Sequence, residues 1–435
     1  MAMTMTMTMA MMMTSHSSKK VIVISHSSKK AIVIVKNIIM EPLFQAYRTF
    51  FGTGDALYRI FSPYRICPLG AHVDHQHGLV SGFAFDKGID FLFSETESGK
   101  VEMCSLSFEG LMTFNVQKPI EAPQKNWGDY IRGAVWALQK DFQLKVGIKG
   151  VVQGSMPIGG LSSSAALLCG CVMAIAKVNR IELDKMQVIH YASQAEREYV
   201  GLRNGILDQA CVVLCEENKL LYLDTRTSEY KLLPFGDNQE KDLPFEIGIF
   251  FSGVTRKLTG TDYNLRVSEC QTAAWMIEAY EDIPLKTLDE TRLRDVEKEK
   301  FEIHKHKMPK RFAKRAEHFF SECGRVESGI EAWRRGDIKT FGKYIFDSCN
   351  SSIHNYECGS PELIALYEIM LRTDGIYGGR FSGAGFKGAC IALVDPDKKE
   401  EISKFISEEY LKQFPQYMGT FEVFFCKPCN GVEFL

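Results

Sequence analysis

Several short stretches of this chain hold residues that could do chemistry, and the first of them reads RICPLGAHVDHQHG, from Arg65 to Gly78. It contains one arginine, one aspartate and three histidines. Imidazole and carboxylate groups could hold a metal ion, and the same groups could hydrogen-bond a polar ligand. A plain turn between two strands is the third interpretation. The stretch alone does not decide among them.

A second stretch, GSMPIGGLSSSAALLCG, combines glycines with a run of serines at the start of an apolar segment. Gly159 and Gly160 permit unusual backbone angles, so several N–H groups can point at one spot beside the positive end of a helix. Such a loop suits phosphate, and serine hydroxyls can bind phosphate oxygens or Mg²⁺. It is not a P-loop, because no GK[ST] ends it. A Gly/Ser linker before a core helix is the alternative.

Two further stretches are weak by themselves. Glu196 and Asp208 stand twelve residues apart in AEREYVGLRNGILDQA, where two surface carboxylates would be the ordinary interpretation. GGRFSGAGFKGAC, residues 378–390, has five glycines in thirteen residues and could close over a ligand. Either stretch would indicate a ligand site only if the fold brought it close to the first two stretches.

The elements that must position these residues form an α+β chain of two mixed halves. Short strand-like runs alternate with turns from 58 to 116, and residues 262–347 are mostly helical with charged faces. The remaining predicted segments are helices at 127–140, 162–178, 184–200 and 397–414, and strands at 147–154, 219–225, 245–253 and after the glycine-rich turn that follows 375.

Composition limits the class of protein. The chain has 435 residues, 45% of them hydrophobic, which predicts a large core and two domains. Its net charge of −2 gives no basic field for nucleic acid or a membrane surface. The 13 cysteines show no disulfide framework, and the Cys426/Cys429 pair has no second pair to complete a zinc site. They indicate reduced thiols in a cytoplasmic protein.

Residues 1–39 differ from the rest. They begin with a methionine-rich low-complexity run and nearly repeat SHSSKKVIVI as SHSSKKAIVI. Their apolar runs are too short to span a membrane. We interpret them as a disordered extension with Met40 as the working start, in preference to a transit peptide.

In their order along the chain, the four stretches resemble the GHMP kinases, and among these the galactokinase-like sugar 1-kinases. The first motif of that branch reads roughly P-G-R-V-N-L-I-G-E-H-T-D-Y, and here it is PYRICPLGAHVDH. The motifs PYRICPLGAH, GLRNGILDQ, YNLRVSECQ, KRAEH and RFSGAGF look most similar to the plant-type galacturonokinases. The resemblance runs from about residue 58 to the C-terminus.

The resemblance implies an α+β, two-domain GHMP kinase fold. Residues 40–240 would form a ribosomal protein S5-like α/β domain, and residues 241–435 a ferredoxin-like α+β domain, with ATP and sugar in the cleft between them. It also implies phosphorylation of the anomeric hydroxyl of D-galacturonate, with ATP as co-substrate and Mg²⁺ as cofactor.

By the same resemblance, Asp208 matches the catalytic aspartate, Arg65 the catalytic arginine, and Ser164 and Glu196 the Mg²⁺ ligands. Phosphoryl transfer mainly needs positioned groups and neutralised charge, which these residue types supply. The ATP-binding residues implied are Pro157, Gly159, Gly160, Leu161, Ser162, Ser163, Ser164, Gly383 and Gly385.

The residue at position 71 indicates which class of sugar the site would accept. Galactokinases have glutamate before the motif histidine, facing the C6 hydroxyl, whereas this chain has Ala71. A glutamate beside a C6 carboxylate would be a like-charge contact, so alanine favours a uronic acid. The sugar-facing residues implied are Ala71, His72, Asp74, Arg203, Asn204, Gly205 and Tyr263.

A bound carboxylate also needs a cation. Arg203 is the first candidate, with Arg256, Lys257 and the histidines of the opening stretch behind it, and the alternative for Arg203 is an ion pair with an acid such as Glu198. Alanine at 71 also suits L-arabinose, which lacks C6.

The rival functions are an L-arabinose 1-kinase, a plain galactokinase and a non-catalytic sugar sensor. A metal hydrolase built on the histidines fits no familiar zinc spacing. No nucleic-acid or membrane partner is expected, and the protein is expected to be a monomer or weak oligomer.

Overall fold

The computed structural model describes residues 41–157, 159–236, 242–254 and 261–435, without the side chains of 261 and 262. Among the described residues, 41–54 and 55–435 belong to separate compact units. In the first, residues 41–51 form helix α1. No helix among the described residues has the length and apolar character needed to cross a bilayer. The predicted extension 1–39, as well as Arg256 and Lys257, lies outside the described residues.

The larger unit is built on two sheets. In the first, nine strands occur among the described residues, in the order β13-β1-β2-β5-β3-β4, with β12 and β6 also paired to β2 and β7 paired to β6. All pairs are antiparallel except β3 with β5. The strands are β1 (Tyr58–Ile66), β2 (Leu79–Thr96), β3 (Lys100–Ser105), β4 (Leu111–Asn115), β5 (Gly147–Gly154), β6 (Lys219–Asp224), β7 (Tyr230–Pro234), β12 (Pro428–Cys429) and β13 (Glu433–Phe434).

The helices of the first half are α2 (Gly128–Leu138), α3 (Ser163–Val178), α4 (Lys185–Gln194) and α5 (Leu207–Leu214). Two of them, α3 and α5, pack on this sheet, and α2 and α4 pack on those helices. α3 is almost wholly apolar and packs on β1, β2 and β5. α4 begins at a capping box formed by Asp184 and Gln187, and it runs into a π-helical turn, Ala195–Val200, which carries Glu196.

The second sheet has the order β11-β8-β10-β9 and is antiparallel. Its strands are β8 (Glu246–Phe251), β9 (Ile376–Phe381), β10 (Ala389–Val394) and β11 (Glu422–Cys426). The helices of this half are α6 (Thr261–Tyr280), α7 (Lys298–His304), α8 (Lys310–Arg334), α9 (Ile338–Ser351), α10 (Pro361–Leu371) and α11 (Lys399–Gln413).

The mixed α+β class is confirmed, and the main predicted segments form the expected elements. The helix predicted at 184–200 is the α4 helix with its π-helical turn. The last strands return to the first sheet, since β12 pairs with β2 and β13 with β1. A domain division at 240/241 stays a prediction.

Candidate active site

An ion pair joins the two residues expected to be catalytic. Arg65 lies near the end of β1 and Asp208 in the first turn of α5. Arg65 Nε donates to Asp208 Oδ1 at 2.8 Å, and the Ser162 hydroxyl donates to the other carboxylate oxygen. Burial lowers the pKa of Arg65, but the Asp208 carboxylate outweighs it and raises that pKa overall. The arginine is therefore always charged.

The same guanidinium reaches the two glycine-rich loops. Arg65 Nη1 donates to the Gly160 carbonyl oxygen at 3.2 Å and to Ser382 Oγ at 3.3 Å. Ser382 in turn donates to the Gly160 oxygen at 2.6 Å. Residues far apart in the chain thus meet at the Arg65 guanidinium. The stretch 378–390 therefore lies beside the serine loop, which its glycines alone could not show.

A cavity of about 250 Å³, the first cavity, opens on this ion pair. Its walls come from both halves of the chain. Of the predicted residues it is lined by Arg65, Ala71, His72, Asp74, Gly160, Asn204, Asp208, Tyr263 and Gly383, together with Cys67, Leu202, Leu207, Arg380, Phe381, Ser382, Ala384, Phe386 and Lys387.

Asp74 is held by the loop before α5. Its Oδ2 accepts from the Leu207 N–H at 3.4 Å, and a Cβ on Gly205 would lie only 2.4 Å from that oxygen. Position 205 therefore needs glycine for this close contact. Burial, and then the nearby Asp208 charge, raise the pKa of Asp74 to about 6.

The histidines of the opening stretch do not gather around a metal. His72 stacks on Tyr356 with ring centroids 4.3 Å apart, while His75 Nε2 lies 3.2 Å from the Tyr356 hydroxyl. Burial lowers the pKa of both imidazoles, that of His75 to about 3, so they are neutral. Within the described residues, no three His, Cys, Asp or Glu side chains form a metal-binding group.

Ser164 and Glu196 lie together, as a shared site requires. Glu196 is buried and accepts from Asn204 Nδ2 at 2.7 Å and from Gln209 Nε2 at 2.5 Å. Burial and the Asp208 charge raise its pKa, and hydrogen bonds from Asn204, Ser164 and Gln209 oppose the rise. The amide oxygens of Asn204 and Gln209 are buried and accept no hydrogen bond from the described residues. These oxygen donors fit Mg²⁺, which uses few protein ligands beside phosphates and water.

The serine loop borders a second cavity, of about 820 Å³. Ser163 and Ser164 line it with Phe108, Trp127 and Tyr130. The rings of Phe108 and Trp127 are nearly parallel, with centroids 6.4 Å apart. Sequence reasoning missed these aromatic residues, although Trp127 and Tyr130 in NWGDY, at the start of α2, could have indicated two of them.

The other predicted nucleotide residues are spread along the loop. Ser162 adopts the left-handed conformation, φ 57°, at the N-cap of α3, where its hydroxyl meets Asp208. Leu161 is buried, and Pro157 is exposed. Gly159 packs on Gly388, and Gly160 on Gly383. Neither Gly159 nor Gly385 is among the residues lining the two cavities.

The structure does not bring Arg203 to the first cavity. Its side chain is 54% exposed, and Nη1 lies 3.4 Å from Asp289 Oδ1. The alternative expected for Arg203 was an ion pair, and this is observed with Asp289 instead of Glu198. Glu198 pairs with Lys140 at 2.6 Å. The turn after Gly201 directs Arg203 to solvent, and spacing from Asp208 could not show that.

Helix α8 holds the backbone at position 71, a contact that sequence reasoning missed. Glu322 Oε1 accepts from the N–H groups of Gly70 at 2.8 Å and Ala71 at 3.2 Å. His318 Nε2 lies 3.0 Å from the Ala71 carbonyl oxygen. His318 and Glu322 are four residues apart and thus share one helical face. The KRAEH motif, which ends at His318, is part of the family resemblance, but it did not indicate that this helical face contacts position 71.

Comparison with known proteins identifies the family of this chain. Residues 129–216 match the GHMP kinases N terminal domain, and residues 330–412 match the GHMP kinases C terminal domain. The chain is 43% identical over 382 residues to a galacturonokinase of Arabidopsis thaliana, covering 83% of this chain and 88% of that protein. It is 31% identical over 379 residues to a galactokinase of Thermococcus kodakarensis, covering 87% and 100%.

Solved structures show the same fold. Lactococcus lactis galactokinase complexed with galactose superposes with a TM-score of 0.82 at 24% identity, over 92% of this chain and 100% of that chain. Methanococcus jannaschii mevalonate kinase gives 0.59 at 17% identity, over 87% and 99%. By sequence and fold, this chain belongs to the GHMP kinase family, in its galactokinase-like branch of sugar kinases.

Proposed function

We propose that this protein is a galacturonokinase, which transfers the γ-phosphoryl group of ATP to the anomeric hydroxyl of D-galacturonate. The products are galacturonate 1-phosphate and ADP. One observation carries the choice of sugar: Ala71 lines the same cavity as the Arg65–Asp208 pair, at the position where galactokinases carry glutamate. The 43% identity to the Arabidopsis galacturonokinase supports it.

In the proposed reaction, Asp208 orients the anomeric hydroxyl and accepts its proton. The sugar oxygen then forms a bond to the γ-phosphorus as the bond from that phosphorus to the bridging oxygen of ADP breaks. Arg65, fixed by Asp208 and the Gly160 oxygen, stabilises the negative charge on the moving group. His72, Asp74 and Tyr263 face the sugar hydroxyls in the first cavity.

The nucleotide is assigned to the second cavity and the adjoining loop. Phe108 and Trp127 offer flat apolar rings to adenine, and Ser163 lies at the positive end of α3, which suits phosphate. Ser164 and Glu196 would hold Mg²⁺, which neutralises charge on the β- and γ-phosphates when it is bound.

Two rivals are weaker. An arabinose kinase would also tolerate Ala71, but it would not need a cation for the sugar in addition to the phosphoryl-binding Arg65, and the chain lines the first cavity with Arg380 as well. A sugar sensor would not need the Arg65–Asp208 pair.

The predicted reducing, cytoplasmic location is supported by all 13 cysteines being unpaired.

Coupled ADP release tests the proposal. The full chain would be assayed with ATP and Mg²⁺ against D-galacturonate, D-glucuronate, D-galactose and L-arabinose. We expect the highest kcat/KM for D-galacturonate. A preference for galactose or arabinose would refute the choice of sugar, and no turnover with any of the four would favour the sensor.

A further inference from the structure

A cluster of three charged side chains, two of them buried, lies behind Ala71. Arg325 Nε donates to Glu322 Oε2 at 2.8 Å, and Arg380 Nη1 lies 3.6 Å from Glu322 Oε1. Exposed fractions of the three side chains are 15% for Arg325, 0% for Glu322 and 1% for Arg380. Two positive groups share one carboxylate, so the cluster carries one excess positive charge. Buried charges are normally compensated, and an uncompensated one favours an incoming anion.

The cluster reaches the substrate side through Arg380. This residue ends up in the wall of the first cavity because β9 runs beside α9 and then turns into the glycine-rich loop. The carboxylate of Glu322 accepts from the Ala71 N–H at 3.2 Å. The excess charge therefore sits at the end of the cavity where position 71 lacks an acid. Burial is the main cause of the lowered pKa of His72, and the Arg380 charge lowers that pKa further. Arg380 therefore lies close to the His72 imidazole.

Arg380 has hydrogen-bonding capacity left. Its Nε donates to the Phe381 oxygen at 3.1 Å, Nη1 donates to the Ser348 hydroxyl, and Nη2 donates to Ser352 Oγ at 3.2 Å. Hydrogen bonds to described residues thus use three of the five N–H groups of a guanidinium. One N–H on each terminal nitrogen therefore has no hydrogen-bond partner among the described residues, and charged N–H groups of this kind bind carboxylates.

We propose that Arg380 binds the C6 carboxylate of the sugar and determines the preference for a uronic acid. This inference rests on the proposed function. In galactokinases the protein supplies a carboxylate at position 71. Here Ala71 carries no charge, so the C6 carboxylate of the substrate supplies the negative charge. It neutralises the excess positive charge of the cluster formed by Arg325, Glu322 and Arg380.

Lys387 is the other candidate cation in the wall of the first cavity, since Arg65 is paired with Asp208. Lys387 precedes Gly388, and a Cβ on Gly388 would lie 2.7 Å from the Gly159 carbonyl carbon. The lysine is therefore anchored beside the serine loop, which is the phosphate side of the site. This position makes Lys387 the matched control for Arg380.

The test compares kcat/KM for D-galacturonate with kcat/KM for D-galactose in the full chain. We expect Arg380→Gln to lower this ratio by about 100-fold or more, through KM for galacturonate, because a buried charge pair is lost. Activity with galactose should fall much less. Lys387→Gln should change ATP kinetics and leave the sugar ratio within about threefold, since it lies on the phosphate side. A purely structural role of Arg380 would lower activity with both sugars equally.

Arg325→Gln is the second variant, in case Arg380→Gln does not fold. It removes one charge from the cluster at a partly exposed position and leaves the cavity wall intact. We expect a fall in the same ratio of about three- to tenfold. An unchanged ratio in every variant that folds would overturn the assignment, as would a large loss in Lys387→Gln alone. A wild-type enzyme that prefers galactose would instead refute the proposed function itself.

Discussion

The carboxylate of Asp208 is held from two sides, by the Arg65 guanidinium and by the Ser162 hydroxyl. Asp208→Asn keeps the shape and removes the proton acceptor. We expect kcat to fall by about 10³-fold, within the range for losing a positioned base. Circular dichroism and ATP titration should show a folded, nucleotide-binding protein. Near-wild-type turnover in this variant would remove Asp208 from the mechanism.

Asp74 sets a pH dependence. Because burial and the Asp208 charge raise its pKa to about 6, this carboxyl takes up a proton as the pH falls through 6 and loses the charge with which it accepts from sugar hydroxyls. We expect kcat/KM for the sugar, at saturating ATP and Mg²⁺, to be level from pH 7 to 8 and to fall about tenfold per unit below pH 6.

The neighbouring imidazoles do not add a break in that range, since the pKa values of His72 and His75 are lowered by burial. Asp74→Asn is the control: its activity should be low and should show no break near pH 6. A break that persists in Asp74→Asn would assign the titration to another group.

Ala71→Glu places a carboxylate where the sugar acid is proposed to bind. We expect kcat/KM for D-galacturonate to fall by about 100-fold or more from like-charge repulsion, and activity with D-galactose to rise. Ala71→Gln adds similar bulk without charge, so it separates charge from size. Equal losses in the two variants would show that only the volume of the side chain matters.

At the scale of elements, the two glycine-rich loops pack backbone to backbone. Gly383 has φ +69°, and a Cβ there would lie 2.8 Å from the Gly160 Cα. Gly383→Ala should therefore displace the serine loop, raise KM for ATP about tenfold or more and lower the free energy of unfolding by about 1–3 kcal/mol. Steady-state kinetics and urea unfolding measure the two effects.

Gly419→Ala is the matched control for that variant. Gly419 has φ +90°, with no atom within 4 Å of a built Cβ. It should show a similar backbone strain in unfolding, about 1–2 kcal/mol, with KM for ATP unchanged. If both variants altered KM equally, strain alone rather than the loop contact would explain the effect.

At the scale of the whole molecule, both cavities and both sheets are built from residues 55–435. A chain that starts at Met40 retains all of these elements, so we expect it to keep kcat and KM within about twofold and its melting temperature within about 2 °C. Calorimetry and the coupled assay would check this. A large loss of stability or activity would assign residues 1–39 a part in the folded enzyme.

The sequence by itself predicted the mixed α+β class and the main elements, because these depend on local periodicity and on the residues that begin and end helices. The apolar run that forms α3 and the capping box of α4 are local signals of this kind. The resemblance of short motifs to those of a kinase family also indicated Arg65, Ser164, Glu196 and Asp208. The structure places Arg65 beside Asp208 and Ser164 beside Glu196, and the roles of the four residues stay a prediction.

Only the tertiary structure shows which cations line the cavity that contains Ala71. Arg203 was chosen for its nearness to Asp208 in the chain, but a turn directs it to solvent and to Asp289. Arg380 comes from β9, and Glu322 from α8, and neither shares a local pattern with Ala71. The packing of separate helices and strands brings Arg380, Glu322 and Ala71 together. Burial excludes water from Arg380 and Glu322, so their charges are less screened. Spacing along the chain contains neither the contacts nor the burial, which is why the sequence could show that position 71 lacks an acid but not that Arg380 lines the same cavity.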